Sequence, residues 1–395
     1  MASAVATAEP DWLTQRRRKG ASLARELELP TPKAKGWEFT DLSGLDLDSY
    51  VPREARVEGL DDRTGEEGGA VVLPLSEAAE RLPDLVTARF GSIVSAEDAF
   101  VARNERDWTN GVLVYVPRGQ RLAEPVRLSV VHDGEGGLGW RALIVLDEEA
   151  QAEVWERYVS ADPDGEGLFN GVVELSVGQG ANLRYVCEQE LSDQTWVFAT
   201  QRGELARDAS LEWVALGFGS ARGKVRMETE LGGPGSSAKV TGAYAGAGQQ
   251  HLDFDTTQEH AAPHTTSDLA FRGVLADRAT AVWRGMIRVD PGAQQTDAFQ
   301  ESRNLLLSKR AHADAIPGLE IEANDVRCTH AAAVAQIDPD QLYYLRSRGM
   351  PEAQARRLII DGFLQELAER TDRGPLRDAL SEALDRRLAE IVAPA

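Results

Sequence analysis

Apolar and polar positions fall into three textures along the chain. Between residues 11 and 29, Trp12, Leu13, Leu23 and Leu27 recur at helical spacing around the basic run Arg16-Arg17-Arg18-Lys19. Pro30 and Pro32 stop that helix. A polar, glycine-rich stretch follows at 58–69. Helical texture returns over 76–108, broken at Pro83 and Gly91. From about residue 111 the pattern changes. Short apolar or alternating runs succeed one another, separated by Gly, Asn and Asp. They fall at 112–116, 126–131, 142–146, 172–177, 183–187, 211–216, 225–231, 252–255, 269–274, 282–289 and 319–322. No long amphipathic helix separates them, which disfavours βαβ units, since these need crossover helices. An antiparallel sandwich or barrel and a solenoid of stacked strands remain. The number of short strands favours the solenoid, although no strict short repeat marks its turns.

From Asp338 the texture is helical again. Asp338-Pro339 offers an N-cap carboxylate and then proline at the first helical position. Gly349-Met350-Pro351 closes one helix and opens the next. Residues 352–370 carry Leu358, Ile359, Phe363, Leu364 and Leu367. Residues 376–392 form a last helix on Leu380, Leu384, Leu388 and Ile391. The pattern predicts a helical region at 1–110, a strand-rich core at 111–337 and a helical region at 338–395.

Charge and cysteine usage narrow the function classes. The 395 residues carry a net charge of −21. Such a field repels nucleic acid and anionic membrane, so neither is expected as a partner. The basic run at 16–19 then reads as a solvated helix face. Residues 1–10 lack the apolar run behind a basic cluster that a secretory signal needs. No window approaches the roughly 18 apolar residues of a membrane helix. The two cysteines, Cys187 and Cys328, are far apart and form no CxxC pair. A zinc ribbon or a four-cysteine iron–sulfur site from this chain alone is excluded. A cytoplasmic, reducing location fits this usage.

Few motifs carry chemistry. Gly134-Glu135-Gly136-Gly137-Leu138-Gly139 satisfies GxGxxG, but 140–146 reads as a strand. A dinucleotide site needs a helix there, so the glycines are expected to make a turn. Gly223-Lys224-Val225 lacks the earlier glycine and the Ser or Thr of a Walker A loop, and no GxSxG elbow occurs. His260 and His264 have one-face helical spacing, yet Pro263 between them argues for a turn. Asp253 and Asp255 share a strand face. They are the candidate carboxylate pair of an alternative reading, a polysaccharide lyase or glycosidase on a β-helix. The absence of an export signal weighs against it. In Cys328-Thr329-His330 a strand would project a thiolate and an imidazole to the same side, with Asp325 nearby. Both groups suit iron or zinc. The plain alternative is a packed cysteine beside a hydrogen-bonded histidine. Two protein ligands leave a metal site incomplete, so a partner chain or small ligand would supply the rest.

The stretch around that triplet resembles a known family. The segments are Asn304-Leu305-Leu306-Leu307-Ser308, Pro317-Gly318-Leu319-Glu320-Ile321, Asn324-Asp325-Val326-Arg327-Cys328-Thr329-His330 and 340–349. In that order and spacing they resemble the core of the SufB/SufD proteins of iron–sulfur cluster assembly, most closely the SufD branch. His251-Leu252-Asp253, His260, residues 265–274, Trp283-Arg284-Gly285-Met286-Ile287, residues 107–117 and Trp37-Glu38-Phe39-Thr40-Asp41-Leu42 fit as well. The resemblance implies a mainly β fold, a right-handed parallel β-helix flanked by α-helical N- and C-terminal regions. It implies a non-enzymatic scaffold that pairs with a SufB-like paralogue through the β-helix end. It also implies binding of a SufC-like ABC ATPase through the C-terminal helical region, which places Leu358, Ile359, Phe363 and Leu364 as candidate contacts. His330 becomes the candidate cluster ligand and Cys328 its companion. No cofactor would be held permanently, only a transient iron–sulfur cluster at the interface. A self-complementary end would also allow a homodimer of the isolated chain. The family's usual Cys-Ser-His-Gly-Ala-Thr has Ala331 and Ala333 here in place of Gly and Thr. Ala tolerates positive φ poorly, so the backbone after His330 is expected to differ.

Overall fold

The structure, a computed structural model, describes residues 9–60 and 69–391. The absence of a secretory pattern at 1–10, most of the glycine-rich stretch at 58–69 and the last helical residue, 392, therefore lie largely outside the described residues.

The N-terminal region contains α1 (Asp11–Glu26), strands β1 (Arg56–Glu58) and β2 (Val71–Pro74), and helices α2 (Leu75–Arg81), α3 (Pro83–Arg89) and α4 (Ala99–Asp107). The core runs through β3 (Asn110–Val116), β4 (Val126–His132), β5 (Gly136–Leu146), β6 (Gln151–Ser160), β7 (Gly167–Val177), β8 (Asn182–Glu190), β9 (Trp196–Leu205) and β10 (Ser210–Gly217). It continues through β11 (Arg222–Leu231), β12 (Ser237–Gly246), β13 (His251–His260), β14 (Thr266–Leu275), β15 (Thr280–Val289), β16 (Asp297–Leu306), β17 (His312–Ile321) and β18 (Arg327–Gln336). Helices α5 (Pro339–Ser347), α6 (Glu352–Ala368) and α7 (Pro375–Ile391) follow.

Odd-numbered core strands form one sheet and even-numbered strands the other, so the core is a β-solenoid of about eight turns. One turn takes roughly 30 residues. In register, Ser210 stacks on Ser237, then Thr266, Asp297 and Arg327. All these pairings are parallel and hydrogen-bond the backbone from turn to turn. Successive residues alternate between the lumen and the outside. Trp140, Trp213, Trp283, Tyr185, Tyr244 and Phe271 fill the lumen. At the corners, left-handed residues recur, among them Glu149, Asp208, His264, Asp277 and Gln295. They are spread over several residue types, which hides the repeat from the sequence.

The N-terminal region covers the outer face of the odd-strand sheet. Phe90, Trp108, Leu13 and Leu73 pack on Leu143 and Val145. The Arg141–Glu174 pair lies wholly buried beneath them. Glu174 also accepts the backbone N–H groups of Gly91, Ile93 and Val94, so the charge is fully hydrogen-bonded. The start of the GxGxxG pattern makes the expected turn, with Gly134 and Gly136 at positive φ, and Gly137 and Gly139 already lie within β5. A Cβ on Gly139 would lie 2.7 Å from the Trp108 Cα, so the glycine is needed for close packing of the N-terminal region.

Helices α6 and α7 cover the even-strand sheet. Ile360, Leu364, Leu367, Leu380, Leu384 and Leu388 bury against Val214, Leu216, Ala243 and Ala270. Arg386 of α7 reaches Glu188 and Glu190 of β8, and Arg370 reaches Asp268 of β14. Asp338 caps α5 by accepting the Asp340 N–H, and Gly349, at φ 90°, separates α5 from α6.

Candidate functional site at the open end of the solenoid

The two ends of the solenoid differ. At the first end β2 pairs antiparallel with β3, and β1 with β4. These strands come from the N-terminal region and cap both sheets. At the other end β17 and β18 are the outermost strands of their sheets, and no described strand pairs with their free edges. Pro317 within β17 fits an edge position, since proline brings no N–H to a ladder.

The lumen-facing rows of the outermost strands follow from the register. In β17 Ala313, Ala315, Pro317, Leu319 and Ile321 continue the row of Ala281, Trp283, Gly285, Ile287 and Val289. In β18 Cys328, His330, Ala332 and Val334 continue the row of Ala298, Gln300, Ser302 and Asn304. With no further turn above them, Leu319, Ile321 and Val334 are left 37%, 41% and 44% exposed. An end that would otherwise be core is thus bare apolar surface.

Cys328 and His330 lie on one side of β18, as their spacing requires. Cys328 is half-buried against the cluster of Ile287, Val289, Ala298 and Ala323. Burial, reinforced by the Asp297 carboxylate, pushes its thiol pKa up, so the thiolate form is disfavoured. His330 is exposed, and no described residue hydrogen-bonds its ring. Asp325 sits in the preceding turn and does not join them. Among the described residues no group of three His, Cys, Asp or Glu side chains is arranged to hold a metal. Ala331 continues β18 in extended conformation without positive φ, so the strand runs straight through the site.

The other candidates separate clearly. Leu364 is buried against the sheet, and Phe363 is half-buried beside the Arg272 guanidinium. Leu358 is 50% exposed. Ile359 borders a shallow groove with Gln341, Tyr344 and Leu345 of α5. Tyr343 and Tyr344 are 74% and 56% exposed, and α5 buries none of its residues.

His260 and His264 do not form a pair. His260 is buried with its two ring nitrogens on the Thr265 and Ser267 hydroxyls, while His264 occupies a left-handed corner. Asp253 and Asp255 both approach Lys224, at 2.8 and 3.5 Å. Thr40 donates to Asp253 and contacts His251, and Trp37 stacks on Phe100 above the same face. The carboxylate pair is therefore an anchor, Asp255 through Lys224 and Asp253 through both Lys224 and Thr40 of the N-terminal region. Sequence segments more than 200 residues apart, Trp37-Glu38-Phe39-Thr40 and His251-Leu252-Asp253, meet here.

Comparison with known proteins bears on the whole arrangement. The profile of the SUF system FeS cluster assembly, SufBD core domain, matches residues 130–363. That span is more than half of the chain. The chain belongs to the SufBD family. It is 28% identical to the iron–sulfur cluster assembly protein SufD of Bacillus subtilis, over 96% of this chain and 95% of that protein. An iron–sulfur cluster assembly SufBD family protein of Mycobacterium tuberculosis is 31% identical, over 91% and 90%. SufD of Escherichia coli is 29% identical, over 86% and 85%. Family membership supports a role in iron–sulfur cluster assembly by the SUF system. The matched span includes both Cys328 and His330 and reaches into α6.

Proposed function

We propose that this chain is a non-enzymatic scaffold subunit that pairs with a SufB-like paralogue through the open end and binds a SufC-like ABC ATPase through α5 and α6. The observation that carries this reading is the asymmetry of the solenoid, capped at its first end and bare at its last. Two free strand edges beside an exposed apolar lumen are a template for strand addition by another chain. Natural proteins seldom leave such edges uncovered.

In this reading the iron–sulfur cluster is cargo, held transiently between the partners. His330 offers an imidazole nitrogen, a good ligand type for iron. Cys328 offers a sulfur whose deprotonation would be promoted by bound metal. The paralogue supplies the remaining ligands. Tyr343, Tyr344 and Leu358 are the exposed large apolar and aromatic residues of α5 and α6 and the first candidates for the ATPase. The free cysteines agree with work in the cytoplasm. The same open end would close on a second copy by two-fold symmetry, which makes a homodimer the form expected when the paralogue is lacking.

His330→Ala tests the site. The residue is exposed, so the variant should fold as the parent does. Cluster assembly, read as activity of an iron–sulfur enzyme in cells that depend on this chain, should fall by about tenfold or more. Cys328→Ser should have the smaller effect. Undiminished enzyme maturation with His330→Ala would remove His330 from the cluster site.

A further inference from the structure

Gln300 lies one turn beneath His330, in register with it and in the same lumen-facing row. It is wholly buried. Its side chain crosses the lumen from the even-strand sheet to the odd-strand sheet. There its Nε2 donates to the Gly318 carbonyl at 3.0 Å and to the Gly285 carbonyl at 3.4 Å. Gly318 is on the outermost strand β17 and Gly285 on its neighbour β15, next to the point where Pro317 brings no N–H. The other end of the amide, Oε1, has no hydrogen-bond partner. Room for this crossing depends on Gly285, where a Cβ would come within 2.4 Å of the Gln300 Oε1 and 2.2 Å of the Trp283 ring.

We propose that Gln300 is a positioning residue for the open-end site. It is the cross-brace of the last closed turn, holding β17 at a fixed distance from the strand on which β18 and His330 are laid. The claim rests on the reading of His330 as the cluster-site residue and adds the element that sets its geometry. Backbone pairing fixes β18 to β16 and β17 to β15, and Cys328 packs across on Ile287 and Val289, but at the level of His330 the described link to β17 is polar. Gln300 provides that link with two charge-neutral hydrogen bonds in a water-poor interior, where they are directional and costly to lose. Its Oε1 is buried beside Gly285 and has no hydrogen-bond partner among the described residues.

The test uses the full chain with histidine side chains labelled for NMR, the His330 signals being assigned by their loss in His330→Ala. Gln300→Met keeps the length and removes both donors. Gln300→Asn keeps polarity but is too short to cross, and serves if Met at this depth impairs folding. Either variant should shift the His330 imidazole signals more than those of the other five histidines. Cellular cluster assembly should fall by about tenfold, as for loss of groups that orient a ligand. Unmoved His330 signals in a folded variant would overturn the proposal, even if assembly fell, because the loss would then come from stability alone. If His330→Ala leaves assembly intact, the cluster-site reading fails. The His330 signals then still decide whether Gln300 positions that ring.

Discussion

His330 is available because no described strand follows it in the stack. The equivalent side chain one turn earlier, Gln300, is sealed in the lumen, and Ala298 beneath Cys328 is equally buried. The Cys-x-His spacing was readable from the sequence because period two is intrinsic to a strand. The partner of that row was not, since a glutamine 30 positions earlier acquires meaning only when the turn length is known. His260 illustrates the opposite fate of a histidine. Burial between two hydroxyls pushes its pKa down to about 4. Between an ordinary histidine pKa and that value the unfolded chain takes up a proton and the folded protein does not. His260 should therefore cost stability as pH falls from about 6.5 to 4, by an amount on the order of 3 kcal/mol at the lower limit. Urea unfolding of the parent and of His260→Gln at pH 7 and pH 4.5 reads this. The parent should lose more stability than the variant between the two pH values, and equal losses would refute the assignment.

At the scale of elements, α6 divides its apolar residues between two tasks. Leu364 and Ile360 face the even-strand sheet, whereas Leu358 faces solvent. Leu364→Ala should destabilise the protein by about 2–5 kcal/mol through the cavity it leaves. Leu358→Asp should change stability by no more than about 0.5 kcal/mol. It should nevertheless weaken co-purification with the ATPase, whereas retention of the ATPase at the parental level would exclude this face. Sequence periodicity gave the helix but could not say which apolar positions the sheet would claim. Strands with apolar residues on both faces, such as β7 and β14, were legible as runs. β16 was not, because Gln300, Ser302 and Asn304 make its lumen row polar. β12 was missed through its small residues, Ala238, Gly242 and Gly246, which leave room for Phe271 and Leu275. β1 and β2 are too short to stand out. Their role as caps appears only once the sheets have assembled.

Over the whole molecule, the decisive feature is that one end of the solenoid is finished and the other is not. The N-terminal region contributes cap strands, buries a charged pair and straps the odd-strand sheet. The C-terminal helices cover the even-strand sheet and leave the last strands free. A solenoid was anticipated from the number of short runs, and the resemblance of the residues around Cys328 and His330 gave it a family. The difference between its ends was not foreseeable from pattern, because it depends on strands that return antiparallel from a region of mostly helical texture. The most direct test is co-expression of this chain with the SufB-like and SufC-like proteins of its host, followed by size-exclusion chromatography with mass detection. The account predicts a stable complex containing one copy of this chain and one SufB-like partner, with ATPase bound. Elution of the chain alone, or only as a homodimer, under all conditions would contradict it.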